Sequence, residues 1–244
     1  MKCLVAGTGR DISKSWFIAS KSLQRIFDSL DDYHCVLVES NSSDNSLELL
    51  QDWSSIDSER RKVFSLGNLE EPVRTKRISK CRNFYLDYFR NNHLFDLFDY
   101  LLVVDIDNIL QIESNFKQQL QSCFQTSLEW DAIASNRKMI YYDIWALRSQ
   151  ELGCTFDCWE MAAKYNNKYK FGIYQTGTQK YVTAFMKFIP KNSKWILCES
   201  AFGGMALYKT ASIKTKQYNG DKTCEHIAFH SDLKMYINPD FISG

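Results

Sequence analysis

The sequence predicts a single α/β domain with a mostly parallel sheet flanked by helices, and three observations carry that prediction. Short apolar runs bounded by polar turns alternate with stretches of helical periodicity, the pattern of strands joined by crossover helices. The length of 244 residues suits one core, since single cores stop growing at roughly 250 to 300 residues. Apolar residues make up 45%, with only 10 glycines and 3 prolines, which supplies a core and argues against disorder.

The elements follow in order. Cys3 to Gly7 reads as a first strand ending in GTGRD, after which Asp11 or Ser13 can cap a helix with Ile12, Trp16, Ala19, Leu23, Ile26 and Leu30 on its apolar face. His34 to Glu39 is a second strand, broken by SNSSDNS before the helical LELLQDW, and Lys62 to Leu66 a third. Ile78, Cys81, Tyr85 and Tyr88 recur at helical spacing ahead of the strand Tyr100 to Val104. Ser114 is placed to cap a helix carrying Phe116, Leu120, Phe124 and Leu128, and Asp131 to Ser135 resumes as a strand. Residues 141–195, rich in Tyr, Trp, Asn and Lys with weak periodicity, read as an irregular insertion that shapes a pocket or interface. Gly204 to Tyr208 and Met235 to Asn238 return to the sheet, with a short helical or looped segment at Cys224 to Leu233.

Charge and cysteine usage exclude several classes of function. Thirty Lys and Arg against 29 Asp and Glu leave a formal charge of +1, so no global field attracts nucleic acid or lipid. No run approaches the roughly 18 apolar residues of a membrane span, and the first apolar run is too short for a signal peptide. The eight cysteines are scattered, which fits a reducing compartment. A soluble cytoplasmic protein is expected.

The sharpest local feature is YLLVVDIDN. Asp105 and Asp107 sit at i and i+2 where an apolar strand ends, so both carboxylates project from one face, at the strand end where open α/β sheets bind ligands. Such hard oxygen ligands suit Mn²⁺ or Mg²⁺ bridging a diphosphate. In VESNSSDNS, Glu39 can reach a base or ribose while Ser42 or Asp44 fixes the loop. RTKRISKCRN brings Arg74, Arg77, Lys80 and Arg82 just before the aspartate strand, and guanidinium forks match phosphate oxygens. GTGRDI lacks the third glycine of a dinucleotide fingerprint, with Ile12 in its place.

In this order the pieces resemble a GT-A glycosyltransferase, the Rossmann-like fold of nucleotide-diphospho-sugar transferases. More specifically they resemble the capsule-associated mannosyltransferases of glycosyltransferase family 69. The matching blocks are RISKCRNFYLDYF, FDYLLVVDIDN, DAIASNRKMIYYDIWALR, ESAFGGMALYK and CEHIAFHSDLKMYINP, spanning about residues 74 to 240. The resemblance implies a nucleotide-binding half at 1–110, with Gly7, Arg10, Glu39, Ser42, Asp44, Arg77, Arg82 and Asp105 toward the donor, and an acceptor-binding half at 111–244. It implies metal bound through Asp105 and Asp107, with His226 as base or as a further metal ligand. Glu225, His226 and Glu199 are the candidates for proton transfer, and Tyr142, Asp143, Trp145, Phe202, Gly203 and Gly204 those for the acceptor. The chain departs from the family where His226 stands in place of an Asp base. The expected reaction moves a sugar from a nucleoside-diphosphate sugar to a hydroxyl of a glycan or other acceptor. The alternatives are a non-catalytic sugar- or nucleotide-binding module of the same fold and a sugar-phosphate nucleotidyltransferase.

Overall fold

The computed structural model describes residues 1–107, 110–169 and 175–244. Asn108 of the aspartate motif and residues 170–174 of the 141–195 segment lie outside them. The first half is a parallel array: β1 (Lys2–Gly9), β2 (Asp32–Glu39), β3 (Arg61–Ser65) and β4 (Tyr100–Asp105), joined by α1 (Trp16–Phe27), α2 (Ser46–Ser55) and α3 (Arg74–Asn91). The second half comprises α4 (Phe116–Ser122), β5 (Ala132–Asn136), α5 (Cys158–Lys168), α6 (Gly177–Tyr181), β6 (Ile196–Cys198), β7 (Met205–Lys209), α7 (Thr210–Ile213), α8 (Glu225–His230) and β8 (Met235–Ile242). All eight strands form one sheet in the order β3-β2-β1-β4-β7-β5-β8-β6. It is mixed, because β7 runs antiparallel to both β4 and β5, and β6 antiparallel to β8.

Strand alternation divides the core. Leu4, Ala6, Val36, Val38, Leu101 and Val103 face α3 and α8 through Tyr85, Leu86, Phe89 and Phe229. Their neighbours Cys3, Val5, Cys35, Leu37, Leu102 and Val104 face α1, α2 and α4 through Leu23, Ile26, Leu50, Phe116 and Leu120. Fully burying each Leu, Ile or Phe contributes roughly 1.5 to 3 kcal/mol, so both faces of the sheet are covered as the continuous apolar runs require. Strand order reverses between β1 and β4. That switch point opens a crevice at their carboxyl ends, where Thr8 lies in register with Asp105.

Several expectations need correction. Asp11 and Ser13 do not cap α1, which starts at Trp16 with Ser15 in the cap position and no side-chain cap bond. Asp11 instead accepts from the Ser43 N–H at 2.7 Å, and Asp44 accepts from the Ser13 hydroxyl at 2.5 Å, so the loops after β1 and β2 brace each other. At α4 the cap position is Asn115 rather than Ser114, and Phe124 and Leu128 fall beyond the helix end, exposed. The 141–195 segment, whose Tyr142, Asp143 and Trp145 line the cavity, also carries α5, α6 and a 3₁₀ turn at Thr183–Phe185 within its irregular course, and it sends Tyr141, Ile144, Leu147, Cys154, Val182 and Ile189 into the core. Its helices bury very little, α5 only Cys158 and Ala162, so there was almost no apolar stripe to detect.

Gly203 tests how tightly the loop before β7 is set. Its φ is +68°, and an added Cβ would lie 2.4 Å from the Ser135 carbonyl oxygen, whereas Gly67, at φ +61°, has nothing within 4 Å. Gly67→Ala should cost only the left-handed penalty of about 1 to 2 kcal/mol. Gly203→Ala should cost about 1 to 3 kcal/mol more from overpacking, visible in thermal melts as a further drop of roughly 2 to 12 °C. Equal melting temperatures for the two variants would show that the loop has room to move.

Candidate functional site

The crevice deepens into a cavity of about 420 Å³. Thr8, Gly9 and Arg10 reach it from the end of β1, Asp105 and Asp107 from the end of β4, and Tyr142, Asp143 and Trp145 from the segment after β5. Phe202 precedes β7, and Cys224, Glu225 and His226 open α8. From α3 come Arg74, Arg77, Ile78, Cys81 and Arg82, whose i, i+3, i+4, i+7, i+8 spacing is one face of a helix. Between the two aspartates, Ile106 is fully buried on the opposite face of the sheet. Asp105 and Asp107 therefore share the cavity side.

Arg82 is the centre of the charge network. It is almost fully buried, with Nη2 donating to Asp105 Oδ1 at 3.1 Å and Nε 3.3 Å from Glu225 Oε1. Its guanidinium also lies 5.1 Å from the Phe202 ring centroid and 5.4 Å from that of Tyr218, contacts that favour a cation. Burial pushes the Asp105 carboxyl up to about 7 even though Arg82 pulls it down, because Asp107, Asp143 and Glu225 add repulsion. Burial also raises Asp143, which accepts from the Gly203 N–H at 3.1 Å.

His226 is buried in a ring stack, 4.1 Å from the Phe202 centroid and 5.2 Å from that of His230. Burial and then the Arg82 charge push its pKa well below the ordinary value, so the imidazole is neutral at pH 7. Its Nε2 sits 3.8 Å from Glu225 Oε1. Both ring nitrogens, and Nε and Nη1 of Arg82, are buried without a hydrogen-bond partner. More than nine in ten buried polar groups find partners, and with Nε already ion-paired to Glu225, Arg82 Nη1 and the His226 ring nitrogens mark where a polar ligand group would sit.

Other candidates fall elsewhere. Glu39 is buried, accepting from Ser42 N–H at 2.8 Å and Ser65 Oγ at 2.7 Å, so its carboxylate is spent within its own loop. Ser42 accepts from the Asp11 N–H and Asp44 bonds Ser13 and Ser46; neither lines the cavity. Gly7 lies under Ile106, whose Cγ2 would be 2.8 Å from an added Cβ, which makes it a packing position. Gly203 and Gly204 shape the cavity from behind: Gly204 O accepts from the Asp105 N–H at 2.9 Å. Glu199 is exposed and lines a separate cavity with Arg148, Leu197 and Ile227. Lys80 points outward, 3.8 Å from Glu71.

Two positioning residues escaped the sequence reading. Asp157 caps α5 through the N–H groups of Trp159 and Glu160, accepts from Trp145 Nε1 at 3.1 Å, and also holds the Thr223 hydroxyl just ahead of α8. Arg148, buried, donates to the Trp145 and Leu147 carbonyls and lies 3.7 Å from Asp157. The D-C-W sequence after a broken run resembles a helix cap, the only local signal.

Known structures share this fold. A Pyrobaculum calidifontis mannosyltransferase, solved with GDP-Man and Mn²⁺, aligns with 98% of this chain at TM-score 0.54 and 11% identity. Staphylococcus aureus TarS aligns at 0.51 and 13%, and glucosyl-3-phosphoglycerate synthase from Mycobacterium tuberculosis, solved with Mn²⁺, UDP and phosphoglyceric acid, at 0.51 and 11%. The fold is the GT-A fold. The chain spans 55% of the Pyrobaculum protein, 58% of the TarS fragment and 68% of the mycobacterial synthase. No family model and no curated protein matches the sequence.

Within this GT-A fold the Asp105 and Asp107 donor set is acidic, all-oxygen and partly exposed. Among the described residues no three His, Cys, Asp or Glu side chains gather as a metal cluster. Two carboxylates with the remaining positions left to ligand oxygens and water fit Mn²⁺ or Mg²⁺, cations that usually take few protein ligands. Breaking a buried ion pair typically costs about 3 to 5 kcal/mol. Arg82→Met should therefore lower the melting temperature by roughly 6 to 20 °C, while the exposed Arg74→Met should stay within about 0.5 kcal/mol of the parent. Calorimetric melts that place both variants together would remove Arg82 from this role.

Proposed function

We propose that this chain is a metal-dependent glycosyltransferase that moves a sugar from a nucleoside-diphosphate sugar to a hydroxyl of a glycan or other acceptor. Membership of glycosyltransferase family 69 is part of the reading, supported by the five sequence blocks. The observation that carries it is the meeting, at the switch-point crevice, of Asp105 and Asp107 with the orphaned nitrogens of Arg82 and His226. The metal and diphosphates bound by the Pyrobaculum and mycobacterial proteins agree with it.

Asp105 and Asp107 would hold the cation, which when bound offsets the charge of the leaving diphosphate. Arg10, Arg74 and Arg77 line the donor side and supply guanidinium groups for phosphate oxygens. Arg82 Nη1 and neutral His226 can donate to sugar oxygens. As the acceptor oxygen bonds to the anomeric carbon and the bond to the diphosphate breaks, the hydroxyl proton must go to a base. Glu225 is assigned that role: Arg82 pins Oε1, while Oε2 meets the weak thiol donor of Cys224 at 3.8 Å. Asp143, by contrast, braces the backbone of Gly203. Tyr142, Trp145 and Phe202 wall the cavity and would shield the reaction from water.

A panel of nucleoside-diphosphate sugars with Mn²⁺, assayed for nucleotide release, tests the reading. At least one donor should turn over, and Glu225→Gln should lose about 10²-fold to 10⁴-fold in kcat with donor affinity retained. Parent-like turnover in Glu225→Gln would overturn the base assignment, and no turnover of any donor would overturn the reaction.

A further inference from the structure

We propose that the face built by residues 137–141 and 185–194 docks on an anionic lipid surface, beside the cavity mouth. The two segments are joined by an antiparallel bridge in which the Tyr141 N–H donates to the Lys187 carbonyl at 2.9 Å. Tyr141 points into the core at 1% exposure. Alternation then turns the next opposed pair, Ile140 and Phe188, to the outside. They are 51% and 62% exposed, and Met139 is 73% exposed.

Charge surrounds this apolar cluster with one sign. The segments carry Lys138, Lys187, Lys191 and Lys194, all exposed, and no Asp or Glu. From neighbouring elements Glu113 pairs with Lys138 at 3.0 Å and Asp240 accepts from the Asn192 N–H at 2.9 Å, while Asp105 and Asp107 act on Arg137 at the cavity edge. A chain of nearly zero net charge thus gathers a basic rim around its exposed Met, Ile and Phe. Apolar side chains that enter the headgroup region and lysines that meet anionic lipid are the two components of reversible surface binding. A stable protein partner would instead require a contact of roughly 1,000 Å² or more, well beyond what three side chains supply.

The face borders the active cavity. Tyr142, next in sequence, lines that cavity, and the Arg137 guanidinium lies 5.3 Å from its ring centroid. Docking would present the cavity mouth to the lipid surface, and the corollary that the acceptor is carried on lipid rests on the glycosyltransferase reading.

Vesicle co-sedimentation without any donor tests the docking separately from that reading, whose own test is donor turnover. The protein should sediment with vesicles of one part phosphatidylglycerol to two parts phosphatidylcholine, and not with phosphatidylcholine alone. Binding should fall with added salt. The pair Lys191→Gln/Lys194→Gln should weaken it on the order of 25-fold, at about fivefold per lysine, and Ile140→Ser/Phe188→Ser should abolish it. Both double variants should keep the parent melting temperature and nucleoside-diphosphate affinity. Failure of the parent protein to bind anionic vesicles at low salt, or equal binding by the serine variant, would overturn the proposal. Self-association in sedimentation velocity that the serine variant loses, without vesicle binding, would assign the face to a second copy of the chain and overturn it too.

Discussion

Arg82, itself buried, sits 3.1 Å from Asp105 and 3.3 Å from Glu225, and the carboxylates of the cavity depend on it. Two like charges 4 Å apart at an effective dielectric of 20 repel by about 4 kcal/mol. Asp105, Asp107, Asp143 and Glu225 all face one cavity, so without a central cation this wall would protonate or open. The guanidinium is itself desolvated, and the rings of Phe202 and Tyr218 replace part of the lost hydration. These two ion pairs tie α3 to the end of β4 and to the start of α8.

The parallel half of the sheet supplies rigidity, and the antiparallel strand β7 supplies the back wall. Because β4 pairs with β1 on one side and β7 on the other, the backbone that carries Asp105 is held along both edges. The loop ahead of β7 adds a bond from the Asp105 N–H to Gly204 O. Other residues that line the cavity, such as Tyr142, Trp145 and Glu225, come instead from loops and from a short helix. Asp157 and Arg148 tie those loops together, so this side of the cavity is braced by side chains where the Asp105 side is braced by the sheet.

Much of this was legible from local pattern. YLLVV is an uninterrupted apolar run because β4 is buried on both faces, and the i, i+2 rule then placed Asp105 and Asp107 on one side. The Arg74, Arg77, Arg82 spacing likewise marked one face of α3. Long-range partners left no such trace. Nothing near Glu39 announces that Ser65, 26 residues on, consumes its carboxylate, and nothing near Asp44 announces Ser13. Strand β6 is three residues long with Leu197 exposed, and the short helices of the 141–195 segment bury too few residues to show a period. Glu199 looked catalytic only because it precedes the glycine loop, and the chain turns between them.

The central claim is that this cavity binds a nucleoside diphosphate through a cation held by Asp105 and Asp107. Isothermal titration of UDP and GDP, in Mn²⁺ and in chelator, with the parent chain and with Asp107→Asn, addresses it most directly. The account predicts binding of at least one nucleotide in Mn²⁺, at least tenfold weaker in chelator, with Asp107→Asn insensitive to the metal. Equal affinity in Mn²⁺ and in chelator for the parent chain would contradict it.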